Sequence, residues 1–166
     1  MIAGGLEHRD SMGNGSVIRP GEVQLMRAGT GVTHSEYNPS DSALVHFLQI
    51  WVIPDTEGLE PTYEQREFPY SDRQGRLLLV ASPDGREGSL RIHQDVSLYA
   101  TVLEQDQTVR HTFDGERYGW LQVVEGDVTV NGTALSAGDG AAISGESGVE
   151  LVGASPYLEA LLFDLG

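Results

Sequence analysis

The sequence predicts an all-β protein made of two related units in tandem. Three observations point there. Twenty-one glycines punctuate short apolar runs. Asn131-Gly132 carries a hairpin signature, and the same signature returns with its surroundings at Asn14-Gly15.

Runs rich in Val, Leu, Ile and aromatic residues lie at 17–26, 45–53, 99–103, 120–124, 128–130 and 159–163, with further strands expected around 77–80 and 90–93. Each is short and bounded by turn formers, which reads as strand rather than helix. Val128-Thr129-Val130 and Thr133-Ala134-Leu135 flank Asn131-Gly132, and Asn-Gly supplies the positive φ values that a two-residue hairpin turn needs. Residues 54–75 hold Pro54, Pro61 and Pro69 and read as a polar, irregular connector, with Tyr63 to Arg66 forming at most one helical turn.

One constant offset aligns three landmarks: Asn14-Gly15 with Asn131-Gly132, Gly21-Glu22 with Gly138-Asp139, and Ala43-Leu44-Val45 with Ala160-Leu161-Leu162. Coincidence of order and context implies a duplicated β-unit. The expected organisation is an N-terminal domain at 1–53, a connector at 54–75 and a C-terminal domain at 76–166. In that register the strands around 77–80, 90–93 and 99–103 have no counterpart in the first unit, so the first is expected to be incomplete at its N-terminus. Open sheet edges carry unpaired backbone groups, and a homo-oligomer or domain swap is expected.

Composition excludes several chemistries. There is no cysteine, hence no disulfide, zinc-thiolate site or thiol nucleophile. All ten basic residues are Arg, which removes a lysine Schiff base and a phosphate-loop lysine. A formal charge of −15 without a basic cluster argues against direct nucleic-acid binding. No run approaches a membrane span, and no secretory signal opens the chain, so a cytoplasmic protein is expected. No phosphate loop, dinucleotide fingerprint or Gly-x-Ser-x-Gly occurs, so no residue is assigned to an organic cofactor.

The candidate chemistry sits in Gly31-Val32-Thr33-His34-Ser35-Glu36-Tyr37-Asn38. On a strand, i and i+2 project from one face, so His34 and Glu36 can share a metal. An imidazole with a carboxylate suits iron, manganese, nickel, copper or zinc, but a catalytic site needs about three protein ligands. A solvated His and Glu in a polar loop is the competing reading. At the offset positions the second unit has Leu151 and Gly153, which cannot ligate, so any metal belongs to the first domain. His8, His46, His93 and His111 are scattered and read as structural.

Several strings resemble the pirin family: Leu6-Glu7-His8-Arg9-Asp10-Ser11-Met12-Gly13-Asn14-Gly15, Ala28-Gly29-Thr30-Gly31-Val32-Thr33-His34-Ser35-Glu36-Tyr37-Asn38-Pro39 and His46-Phe47-Leu48-Gln49-Ile50-Trp51. Tyr63-Glu64-Gln65, Ser82-Pro83-Asp84-Gly85-Arg86, His93-Gln94-Asp95 and Leu162-Phe163-Asp164-Leu165 extend the resemblance along the chain, most closely to bacterial quercetinase-type pirins. The resemblance implies a bicupin, two jelly-roll β-barrels in tandem. It implies a divalent transition metal in the first barrel, usually iron, with copper, nickel, manganese and zinc as alternatives. The family holds it with a His-x-His pair, a third His and a Glu.

His34 and Glu36 match the last two of those ligands, while no His-x-His occurs in this sequence and His8 falls at a different family position. The implied reaction is 2,3-dioxygenation of quercetin, a flavonol-like small molecule whose ring is opened by dioxygen. In it the metal would lower the pKa of the 3-hydroxyl, with Glu36 as ligand and catalytic base. The run 45–53 would form part of the barrel wall. Two expectations follow: a chain with the family activity, and a chain inactive and metal-free for want of two His ligands. The alternative is a non-catalytic, regulatory pirin-like protein that acts through protein partners.

Overall fold

Every second residue of Leu6–Asp10 turns inward: Leu6 and His8 are buried while Arg9 is exposed, the two-residue period of a strand with one covered face. This is β1 of a computed structural model that describes residues 1–166. The chain divides into two units, residues 1–69 and 70–166.

In the first unit β1 is followed by β2 (Gly15–Ile18), β3 (Glu22–Arg27), β4 (His34–Tyr37) and β5 (Thr62–Glu67). They form an antiparallel sheet in the order β2-β1-β4 and a separate pair, β3-β5. The β1–β2 connection folds around one carboxylate. Asp10 Oδ1 accepts from the backbone N–H groups of Met12 and Asn14, both at 2.9 Å, and Oδ2 accepts from the Asn14 side-chain amide at 2.8 Å. Such Asx-type bonding is how an Asp organises a turn locally.

Two expectations fail in this unit. Tyr63 to Arg66 lie in β5 rather than in a helical turn, because pairing with β3 places Gln65 opposite Gln24 and Tyr63 opposite Met26. The run 45–53 forms no strand: its one bridge joins His46 to Ala3. Trp51 and Ile53 are 86% and 80% exposed, so they form no barrel wall within this chain.

The second unit opens with one helical turn, α1 (Tyr70–Arg73), whose buried Arg73 donates to Glu159 at 2.5 Å. The strands are β6 (Leu78–Ser82), β7 (Leu90–Arg91), β8 (Val96–Leu103), β9 (Thr108–Thr112), β10 (Tyr118–Glu125), β11 (Asp127–Val130), β12 (Thr133–Ser136), β13 (Gly140–Ile143), β14 (Gly148–Gly153) and β15 (Leu158–Leu165). A six-stranded sheet, β13-β10-β15-β8-β6-β7, faces a four-stranded one, β12-β11-β14-β9. Inward residues of both meet in one core, Leu103, Leu121, Val123, Leu158 and Leu162 from the first and Val109, Val128, Val130, Val149 and Leu151 from the second. The predicted hairpin is present: Asn131 and Gly132 have φ of 45° and 85°, and Val130 pairs with Thr133.

The repeat survives in the pairing. The order β2-β1-β4 matches β12-β11-β14. No single offset holds through the sheet, however: Leu6 to Ile18 spans five more residues than Val128 to Leu135, and Ile18 to Glu36 spans two more than Leu135 to Leu151. Leu6 pairs with Ile18 as Val128 pairs with Leu135. His8 opposite Glu36 therefore corresponds to Val130 opposite Leu151. The constant offset had set Glu36 against Gly153; sheet register sets it against Leu151, a core residue without ligand atoms. By the offset, residues 45–48 of the run fall on β15, which is paired along its length by β10 and β8. The first unit offers its run no such pair of neighbours, and the run forms no ladder. No helix of the structure is long and apolar enough to cross a membrane.

Candidate metal centre

The β1–β4 register decides what meets in the first unit. His8 lies opposite Glu36 and Asp10 opposite His34, so the predicted His34–Glu36 pair shares one sheet face with His8 and Asp10. His8 is fully buried, Glu36 half-buried and His34 exposed. The His8 and His34 rings are 5.8 Å apart and close to parallel, and Tyr63 of β5 stacks on the other contact of His8 at 4.7 Å.

Both ring nitrogens of His8 are engaged. Nε2 lies 3.2 Å from Asp10 Oδ2, and the Gln24 side-chain amide lies 3.2 Å from Nδ1. A donating amide requires Nδ1 to accept, which places the ring proton on Nε2, facing Asp10. The same amide nitrogen is 3.4 Å from Glu36 Oε1. Gln24 thus bridges His8 and the predicted ligand carboxylate, while its own Oε1 is buried without a partner. Tyr63 donates to Gln65 at 3.0 Å and shares a 2.5 Å hydrogen bond with Ser16. Burial raises the Tyr63 phenol above its ordinary value against the Ser16 hydrogen bond, with Asp10, Glu22 and Glu36 adding to the rise.

Asp10 is held at the opposite extreme. Burial pushes its carboxyl up, but hydrogen bonds from the Asn14 side chain and backbone, His8 and the Met12 backbone prevail and hold it at about 2, against 3.8. A carboxyl depressed on folding contributes stability at pH above its unfolded value, and loses it as pH falls through the folded one. The first unit is therefore expected to lose stability between about pH 4 and pH 2 through this group. Asp10→Asn should flatten that part of a melting-temperature profile; an unchanged acid limb would remove Asp10 from the account.

No group of three or more His, Asp or Glu side chains converges in a geometry that holds a metal ion. His34 and Glu36 supply two donors, and His8 has both nitrogens committed, whereas a catalytic metal takes about three protein ligands. These 166 residues do not by themselves fit a catalytic metal. Sequence reading singled out His34 and Glu36 and set His8 down as structural, but did not single out Asp10, Gln24 and Tyr63 around them. The alternation Leu6-x-His8-x-Asp10 was the available signal for the first two. Nothing local joins β3 and β5 to that face.

Comparison with known proteins places both units. The family model described as pirin matches residues 1–52, and the one described as quercetinase C-terminal cupin domain matches residues 79–165. The chain is 47% identical over 165 residues to a quercetin 2,3-dioxygenase of Escherichia coli K12, covering 99% of this chain and 70% of that protein. It is 42% identical over 170 residues to a putative quercetin 2,3-dioxygenase of Pasteurella multocida, with coverage of 99% and 70%. The crystal structure of the bacterial pirin YhhW from Escherichia coli in complex with nickel(II) superposes with a TM-score of 0.91 at 47% identity, over 99% of this chain and 69% of that one.

Proposed function

The chain belongs to the pirin family, and from that premise we propose that its first unit contributes His34 and Glu36 to the metal site of a quercetin 2,3-dioxygenase. The observation that carries this reading is the β1–β4 register, which sets the two donors on one face with His8 and Asp10 behind them. The names of the two relatives support a flavonol substrate, and the nickel of the related structure supports a divalent metal. Nickel or iron would supply Lewis acidity when bound.

The chain's own residues have separable tasks in this reading. His34 and Glu36 are donors. Glu36 also accepts the proton of the flavonol 3-hydroxyl. The Gln24 amide, 3.4 Å from Glu36 Oε1, orients that carboxylate, and the His8–Asp10 pair fixes Gln24 from behind. The remaining donors come from polypeptide outside these 166 residues, in keeping with relatives of which the chain covers 70%. Exposed Leu44, Trp51 and Ile53 support a contact with further polypeptide, a second copy of the chain included.

A hybrid tests the reading: this chain joined to the part of the Escherichia coli relative that it does not cover. With added nickel or iron, it is expected to consume oxygen in the presence of quercetin. A folded, metal-loaded hybrid without uptake would overturn the dioxygenase assignment. The second reading, a non-catalytic pirin-like protein acting through protein partners, rests on the donor count of two within this chain. Metal-independent partner binding without turnover by the hybrid would favour it.

A further inference from the structure

The second unit has a cavity of about 390 Å³ that the His34–Glu36 reading does not use. Its walls include Ser97 and Tyr99 of β8, His111 of β9, Asp164 of β15, and Arg86 and Arg117 from connecting segments. Register explains the placement. Ser97 pairs with Asp164 and Tyr99 with Leu162, so the polar pair continues the inward row whose deeper members form the core. Thr101, next on that face of β8 and opposite Ala160, is fully buried with a hydroxyl that has no protein partner.

Charge in the cavity is unevenly shielded. Asp164 is 10% exposed and both its oxygens are taken: His111 Nε2 lies 2.7 Å from Oδ2, and Arg117 Nε donates to Oδ1. The His111 ring is fixed between Tyr99 and Phe113, with centroids at 4.8 and 5.1 Å. Arg117 spends its other donors on Asp95 and the Asp164 carbonyl. Arg86 is less committed. It donates to Asp84 and to Ser97 Oγ, both at 3.1 Å, in the wall that Tyr99 also lines. A guanidinium has five N–H donors, so part of its fork stays available.

The opposing carboxylates of Asp84 and Asp95 are 61% and 64% exposed, and Asp114 is exposed at the rim. In water they offset a cation weakly. The cavity thus presents the accessible fork of Arg86, 42% exposed, and the more sheltered Arg117, beside one sheltered carboxylate, Asp164, that is already fully paired. A planar donor fork beside two hydroxyls matches a carboxylate, and the volume suits a small organic acid.

We propose that this cavity binds a small monocarboxylate, with Arg86 as its principal donor and the Ser97 and Tyr99 hydroxyls beside it. The site is independent of the first unit's donors. The test is calorimetric titration of the full chain with benzoate and with benzamide, its neutral isostere, followed by amide chemical-shift mapping. Benzoate is expected to bind at least about tenfold more tightly than benzamide and to shift the signals of Ser97, His111 and Arg86. Arg86→Gln should weaken benzoate by about tenfold or more, the scale of one charge-assisted hydrogen bond, with the melting temperature unchanged because the side chain is 42% exposed. Arg86→Lys should recover part of the loss. No benzoate binding, equal affinity for benzamide, or undiminished binding by Arg86→Gln would each overturn the proposal.

Discussion

Leu162→Ala is expected to destabilise the second unit by about 2–5 kcal/mol, the range for truncating a fully buried Leu. Leu162 is 0% exposed on β15, between Leu121 of β10 and Tyr99 of β8. It therefore touches the centre of the six-stranded sheet on the face turned to the other sheet's Val and Leu residues. The cavity left behind cannot close without moving three strands at once. Tyr118→Ala, at a side chain 58% exposed in the same unit, is the matched control and should cost about 1 kcal/mol or less. Urea unfolding followed by Trp120, in a Trp51→Phe background, isolates the second unit. Equal costs for the two substitutions would contradict the core described above.

Glu36→Ala in the hybrid should lower quercetin-dependent oxygen uptake by about 10²–10⁴-fold, the span of a lost general base, with lost ligation adding to it. Glu36 is half-buried and oriented through Gln24, so its removal also frees the amide that bridges to His8. Gln24→Leu separates orientation from chemistry. It keeps the carboxylate and should lower uptake less than Glu36→Ala, with metal retained. A Gln24→Leu hybrid as impaired as Glu36→Ala would mean that the amide does more than position.

Local signals read correctly where the cause is local. Asn131-Gly132 makes its turn from its own backbone preferences, and the alternation of 159–163 marks β15 because its core face needs apolar residues. The run 45–53 is as rich in apolar residues as β15 and forms no strand, since β-structure depends on the neighbours that complete the ladder. Tyr63 to Arg66 show the converse: a polar segment between prolines becomes β5 because β3 is there to pair with it. The His34–Glu36 pair was legible from two-residue spacing. His8 was not, because its role comes from lying across the sheet from Glu36 and under Tyr63. The repeat was visible as an offset, yet two extra residues between Ile18 and Glu36, relative to Leu135 and Leu151, displaced the equivalence of Glu36 from Gly153 to Leu151.

The contribution of His34 and Glu36 to a metal site is the central claim, and metal stoichiometry by mass spectrometry tests it most directly. The hybrid, purified without an affinity tag and loaded with nickel, is expected to hold close to one metal per chain, and His34→Ala with Glu36→Ala to hold little or none while remaining folded. Full loading of the doubly substituted hybrid would contradict the account.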